Sequence, residues 1–336
     1  MSNSPLSDAF VELAVTTRSG HDESVHYGAV VALAQDGSVQ FALGDPGAVV
    51  FPRSSTKPIQ ATAMVANGLQ IPPRMLALVC ASHDGREEHL RTATEILATA
   101  GLTPSDLGNT ADYPLDPEAH DAAVRAGLQK SALQMNCSGK HSGMLATCVH
   151  NNWDRATYLH VDHPLQQRIT EMVPELSGED ASFIGVDGCG APAHALSLTG
   201  LARAFRSVAI AKEGTPAAHV AHAMRSHPEM VGGPTRDITS ARSASSSTCS
   251  ERRASALCAL SSTGSLAVLP IRRCRAGRTK ARKVTITATG LPGRPNSTAW
   301  CGGCCSRPTA MGRPGRMAMR QNATSPNCFL IALVWS

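Results

Sequence analysis

The first 240 residues predict an α+β fold, with helices packed on an antiparallel sheet. Two observations lead there. The chain opens on β-rich segments joined by short polar turns, and a run of helical segments follows. That order calls for a closing set of strands near the C-terminus.

Residues 9–17 (AFVELAVTT) and 26–34 (HYGAVVALA) read as a hairpin pair, with RSGHDES between them. Asp36-Gly37 then marks a tight turn. GDPGAVVFPRS is a Gly/Pro loop. Residues 55–67 form an apolar helix, with Pro58 near its first turn, where a missing N–H is tolerated. MLALV is a second apolar helix, and further helices are predicted over 86–100, 139–150, 164–173, 194–206 and 216–225. Residues 180–186 read as a short buried strand entering a Gly-rich turn.

Charge divides the chain near residue 240. The first 240 residues carry 16 Lys/Arg and 25 Asp/Glu, a net of −9; the last 96 carry 15 Lys/Arg and the single acid Glu251, a net of +14. All 13 histidines lie at or before His227, and seven of the 11 cysteines lie after 240. This predicts a globular domain over 1–240, which holds the chain's candidate chemistry, and an aberrant Arg/Ser/Cys-rich tail over 241–336, poorly ordered and read out of frame. SLAVLPI, VTITATG and CFLIALVWS are short apolar islands in the tail, strands or nothing, so the closing strands are expected to be absent or disordered. The acidic first part gives no reason to expect nucleic acid as a partner. Its four cysteines are too few for a disulfide framework, which predicts a reducing, cytoplasmic setting. The N-terminus lacks the pattern of a secretory signal, and no stretch reaches the roughly 18 apolar residues of a membrane span.

Four stretches carry chemistry. Ser54 and Lys57 stand three apart at a helix start, which puts both on one face. A lysine amine removed from water gives up its proton more readily and can serve as base for the hydroxyl, with helix amides favouring developing negative charge. A capping serine explains the spacing equally well. Ser82, in Cys80-Ala81-Ser82-His83-Asp84-Gly85, sits with His83 at a turn between two helices, where it faces a cleft or caps the second helix. Asn136-Cys137-Ser138-Gly139-Lys140-His141-Ser142-Gly143 opens a helix, and Val186-Asp187-Gly188-Cys189-Gly190 follows a strand. Cys137 and Cys189 are buried structural thiols or partners at a soft metal, with His141 and Asp187 as further ligands or supports.

Taken in order, these motifs resemble the rhizobial-type, thermolabile L-asparaginase family, the asparaginase II family. Ala223-Met224-Arg225-Ser226-His227-Pro228-Glu229-Met230-Val231-Gly232-Gly233 is similar to that family's later helix and turn, so the resemblance covers about residues 8–240. It implies a serine β-lactamase-like fold and hydrolysis of L-asparagine to L-aspartate and ammonia. Ser54 becomes the nucleophile, Lys57 its base and Ser82 half of a second Ser–Lys pair. It implies zinc held by Cys137, Lys140 and Cys189, tuning substrate binding rather than cleaving the bond. Lys140 would then have to be the neutral amine. A homodimer is implied as well.

The implied second pair needs a lysine in a Lys-x-Gly-Ala-Glu-Gly-like strand. No such segment follows Gly233; the only lysines after 240 are Lys280 and Lys283. Low solubility and little or no activity are expected of this chain on that ground. A penicillin-binding or β-lactamase-type hydrolase uses the same Ser-x-x-Lys turn, but its Lys-Thr-Gly strand is not recognisable here. An inactive protein whose basic tail binds nucleic acid is the other alternative. The tail's three aromatics, Trp300, Phe329 and Trp335, form no stacking pattern, so non-specific stickiness is expected instead. Cys301-Gly-Gly-Cys304-Cys305 lacks the second ligand pair of a zinc site.

Overall fold

A two-residue turn sets the first sheet. The structure, a computed structural model, describes residues 6–234 and, beyond them, the strand segments 265–272, 283–284, 319–320 and 327–335. β1 (Val11–Arg18) and β2 (His21–Leu33) pair antiparallel across Ser19 and Gly20, whose φ angles are 50° and 88°. Two consecutive positive φ angles make a primed turn, whose twist matches that of the strands. The ladder therefore runs through Asp22 and Ser24, which sequence reading leaves in a loop. Polar residues are tolerated there because that half of β2 is exposed. From Ala29 to Leu33 the strand is buried. The predicted Asp36-Gly37 turn is present and leads to β3 (Val39–Leu43), which pairs with this inner half.

Helices fill the middle, as predicted. β4 (Val49–Val50) precedes a 3-10 turn, Arg53–Thr56, that feeds α1 (Lys57–Ala66), with Pro58 in its first turn. There follow α2 (Pro73–Val79), α3 (Glu87–Thr99), α4 (Pro117–Arg125), α5 (Ser138–His150) and α6 (Pro164–Ser177). Sequence reading passes over α4 because it buries only Ala123 and shows no apolar stripe. Its start is nevertheless marked: Asp116 accepts the Ala119 N–H and Pro117 follows.

The predicted helix over 194–206 begins later. Residues 192–197 form β6 (Pro192–Ser197), flanked by β4 and by β5 (Phe183–Val186) in a three-stranded sheet. Ser197 then caps α7 (Leu198–Ala209), its hydroxyl accepting the Gly200 N–H at 2.8 Å. The strand expected to be buried, β5, is exposed, with Val186 at 81%. It is the edge of its sheet; β6, in the centre, takes the burial. α8 (Pro216–Ser226) and α9 (Pro228–Val231) complete the helical part.

The expected absence of C-terminal strands needs correction. β7 (Ser265–Arg272), β8 (Lys283–Val284), β9 (Met319–Arg320) and β10 (Asn327–Trp335) follow. β10 pairs antiparallel with β2, from Phe329 opposite Leu33 to Trp335 opposite Tyr27, and with β7 on its other side. The large sheet thus has the order β1-β2-β10-β7, with β3 also on β2. SLAVLPI and CFLIALVWS supply the closing strands that an α+β fold requires. The Arg/Ser clusters and Cys301-Gly-Gly-Cys304-Cys305 lie outside the described residues.

α5 is the pivot of the helical layer. Every residue from Ser138 to Cys148 is buried, so the helix is enclosed on all sides although it begins with polar and small residues. Gly139 lets it approach α2: a Cβ there would lie 2.6 Å from Leu78 Cγ and 2.7 Å from the Leu78 carbonyl oxygen. Gly139→Ala is expected to cost about 2 kcal/mol by overpacking, read as a lower urea midpoint. An unchanged midpoint would show that α2 and α5 have room to separate. No helix among the described residues is long and apolar enough to cross a membrane.

Candidate active site

Four chain segments converge. The Arg53–Thr56 turn presents Arg53 and Ser54 ahead of Lys57 at the start of α1. The segment after α2 brings Ser82 and His83. The start of α5 brings Cys137 and Lys140, and the β5–β6 turn brings Asp187 and Cys189.

Lys57 is only 1% exposed. A lysine that deep must be paired, and its amine donates to the Ser82 hydroxyl at 2.9 Å and to the Ala81 carbonyl. Ser54 lies one turn back, joined through the backbone, where the Lys57 N–H donates to the Ser54 carbonyl. The Ser54 hydroxyl forms no hydrogen bond among the described residues. So the structure brings Lys57 to Ser82 directly, and to Ser54 through the backbone. The Ser55 N–H already donates to the Pro52 carbonyl at 3.0 Å and is spent as an oxyanion donor.

His83 binds two of the segments together. It is fully buried, its backbone N–H donates to the Asn136 carbonyl at 3.2 Å, and its Nδ1 accepts the Gly85 N–H at 3.1 Å. That leaves Nε2 as the protonated nitrogen, donating to Ser138 Oγ at 2.9 Å. Burial, then the nearby charges of His89 and Lys57, hold His83 well below the ordinary histidine range. The ring is therefore a neutral strut between the Ser82 segment and the start of α5.

The second cluster centres on Cys189, which is fully buried, as is Cys137 to within 3%. Lys140 donates to Cys189 Sγ at 3.1 Å. The hydrogen bond from the Cys137 thiol, helped by the charge on Lys140 and by His141, holds Cys189 far below the ordinary thiol range against the opposing effect of burial. Cys137 moves the other way, raised by that same bond and by burial. The Cys137 thiol also reaches Asn136 Oδ1, to which it donates at 3.3 Å. Burial pulls the Lys140 amine down, but the charges of Cys189 and Cys137 outweigh it and hold the amine above its ordinary value. His141 Nδ1 meets the Tyr158 hydroxyl at 2.8 Å, and Tyr158 accepts the Gly108 N–H at 3.1 Å. Tyr158 carries no sequence signal; only the fold places it against His141.

Lys57 links the two clusters, since its charge acts on Cys137 and His141 as well as on His83. Arg53 closes the remaining side. Its Nε and Nη2 bond Asp187 Oδ1 at 3.0 and 2.9 Å. This pair, 134 residues apart in sequence, escapes sequence reading altogether.

A search of curated proteins finds no match to this chain. The family model described as L-asparaginase II matches residues 14–288. The matched span crosses residue 240, where the composition predicts a change of reading frame, and takes in β7, Lys280 and Lys283. Four converging segments with the predicted lysine, serines and cysteines, together with a match over most of the sequence, place this chain in the L-asparaginase II family of asparaginase-type amidohydrolases.

Proposed function

We propose that this chain hydrolyses the side-chain amide of L-asparagine to L-aspartate and ammonia through a Ser–Lys mechanism on a serine β-lactamase-like scaffold. Ser54 attacks the amide carbon while its proton passes to the amine of Lys57. Collapse of the tetrahedral intermediate returns that proton to the departing nitrogen and leaves a β-aspartyl ester. Water, deprotonated by the same amine, then releases aspartate.

The observation that carries this reading is the pattern of bonds at Lys57. In this proposal the charged Lys57 amine first yields one proton to solvent, which leaves two N–H groups and one lone pair. Its two hydrogen bonds, to Ala81 and Ser82, use both N–H groups. The lone pair is left to take a proton, and Ser54 stands one turn away. Ser82 is held as a second hydroxyl on the same amine, suited to relaying that proton or positioning the amide.

Acid-quenched enzyme incubated with L-asparagine is expected to carry an aspartyl adduct on the Ser54 peptide. Ser54→Ala is expected to lose both the adduct and ammonia release, by roughly a thousandfold or more. An adduct on Ser82 would instead make the hydroxyl that touches Lys57 the nucleophile. Absence of any adduct, even with enzyme in excess over L-asparagine, would remove the amidohydrolase reading, whereas weak ammonia release alone is what the missing second lysine predicts. In this proposal the second Ser–Lys pair lacks its lysine, so turnover by this chain is low; Lys283 opens β8, and Lys280 lies outside the described residues.

Two sulfurs and an amine suit a soft divalent cation such as zinc. Among the described residues no three His, Cys, Asp or Glu side chains converge in a metal-holding group, so the third donor would be the amine of Lys140, with Cys137 and Cys189 as the other two. Bound there, zinc would fix the loop that carries Asp187 and displace the Lys140 proton. A homodimer in the cytoplasm is part of the same proposal.

A further inference from the structure

We propose that Arg53 and Asp187 form the subsite for the substrate's zwitterionic head group, Arg53 taking the α-carboxylate and Asp187 Oδ2 the α-ammonium. This rests on the amidohydrolase reading above and adds the residues that select an α-amino acid over a simple amide.

The bonds to Asp187 are lopsided. Oδ1 receives three donors: Arg53 Nε at 3.0 Å, Arg53 Nη2 at 2.9 Å and the Gly188 N–H at 2.8 Å. Oδ2 meets only the Cys189 sulfur, at 3.8 Å, among the described residues. A carboxylate whose side chain is 10% exposed has one oxygen saturated and the other short of a donor. An ammonium group supplies what is missing.

Arg53 is placed at a cost. Its φ of 50° is left-handed, one of three such non-glycine residues among the described ones. Backbone strain of this kind clusters at functional positions. Here it falls on Arg53, immediately before the proposed nucleophile. Its side chain remains 40% exposed, so a carboxylate can reach it. Arg53 is next to Ser54, and Asp187 is two residues from Cys189, so the pair borders both clusters. The opposite charges of an amino acid's head group fit an arginine and an aspartate side by side.

Binding to the intact chain, measured by calorimetry with three ligands, tests this without turnover. L-Aspartate has both head-group charges, its α-amide lacks the carboxylate, and succinate lacks the ammonium. Arg53→Gln is expected to weaken L-aspartate roughly 10- to 100-fold and the α-amide much less. Asp187→Asn is expected to weaken L-aspartate by a similar factor and to leave succinate nearly unchanged. Circular dichroism identifies variants that fail to fold, and the conservative Arg53→Lys, which keeps the charge, should retain part of the affinity. Equal losses for all three ligands overturn the head-group assignment and leave the amidohydrolase reading intact. Wild-type protein that binds none of the three overturns both.

Discussion

Lys57→Met is expected to lower ammonia release from L-asparagine roughly a thousandfold or more, with a melting temperature unchanged or raised. The direction of each change follows from burial. The side chain is 1% exposed, and methionine fills nearly the same volume without the polar tip. Replacing a buried polar end by an apolar one often stabilises a protein, although here Ala81 and Ser82 each lose a donor. Chemistry has no such compensation. Without the amine nothing takes the proton of Ser54, and removing a general base typically costs factors of a hundred to ten thousand, more where base and nucleophile act as a unit. Lys57→Arg separates the two roles: a guanidinium can donate to Ala81 and Ser82 but does not give up its proton at working pH. The expected Arg variant is folded and inactive. If it retains turnover, Lys57 only positions Ser82. If Lys57→Met loses stability and keeps its activity, the lysine is structural.

Much of this site is legible along the chain because its residues come in short runs. Ser54 and Lys57 are one turn apart, and Cys137 and Lys140 likewise; a helix start fixes such spacings locally. What joins the runs is not local. Lys57 reaches Ser82 across 25 residues, Lys140 reaches Cys189 across 49, and His83 reaches Ser138 across 55. The family resemblance supplies the Lys140–Cys189 pairing, and nothing in the sequence supplies the Lys57–Ser82 or His83–Ser138 contacts. The strand errors have one cause. FIGV is as apolar as a core strand, yet its place at the sheet edge exposes it; AHALS suits helix or strand, and its place between β4 and β5 makes it β6. The tail shows the same limit from the other side. Its composition hides two apolar segments that the sheet recruits as β7 and β10, and only pairing with β2 gives them a role.

Acid is expected to unfold this protein well before its carboxylates are protonated, because several histidines are held neutral inside. His194 is 1% exposed and its pKa is lowered by burial from 6.5 to about 4. Thr170 donates its hydroxyl proton to the Gln166 carbonyl and so accepts from His194 Nε2 at 2.9 Å, which leaves Nδ1 bare, without a partner among the described residues. A second proton would land on that buried nitrogen with nothing to receive it. His83 and His89 are also lowered, chiefly by burial, and their rings lie 5.2 Å apart, so each disfavours the other's charge. The sign follows from linkage: between pH 6.5 and about 4 the unfolded chain binds these protons and the folded chain does not. Stability is therefore complete above about pH 6.5, falls as the pH drops toward 4, and is then flat with respect to His194. That residue alone should remove about 2 kcal/mol between pH 7 and pH 5. His83 and His89 act in the same direction, against the roughly 5–15 kcal/mol that holds a typical domain together. Urea titrations at the two pH values measure it. His194→Gln, whose amide can still donate to Thr170, is expected to shrink the difference between them by about 2 kcal/mol. A pH dependence identical to that of the wild type would mean that His194 is reached by water and takes up its proton in the folded state.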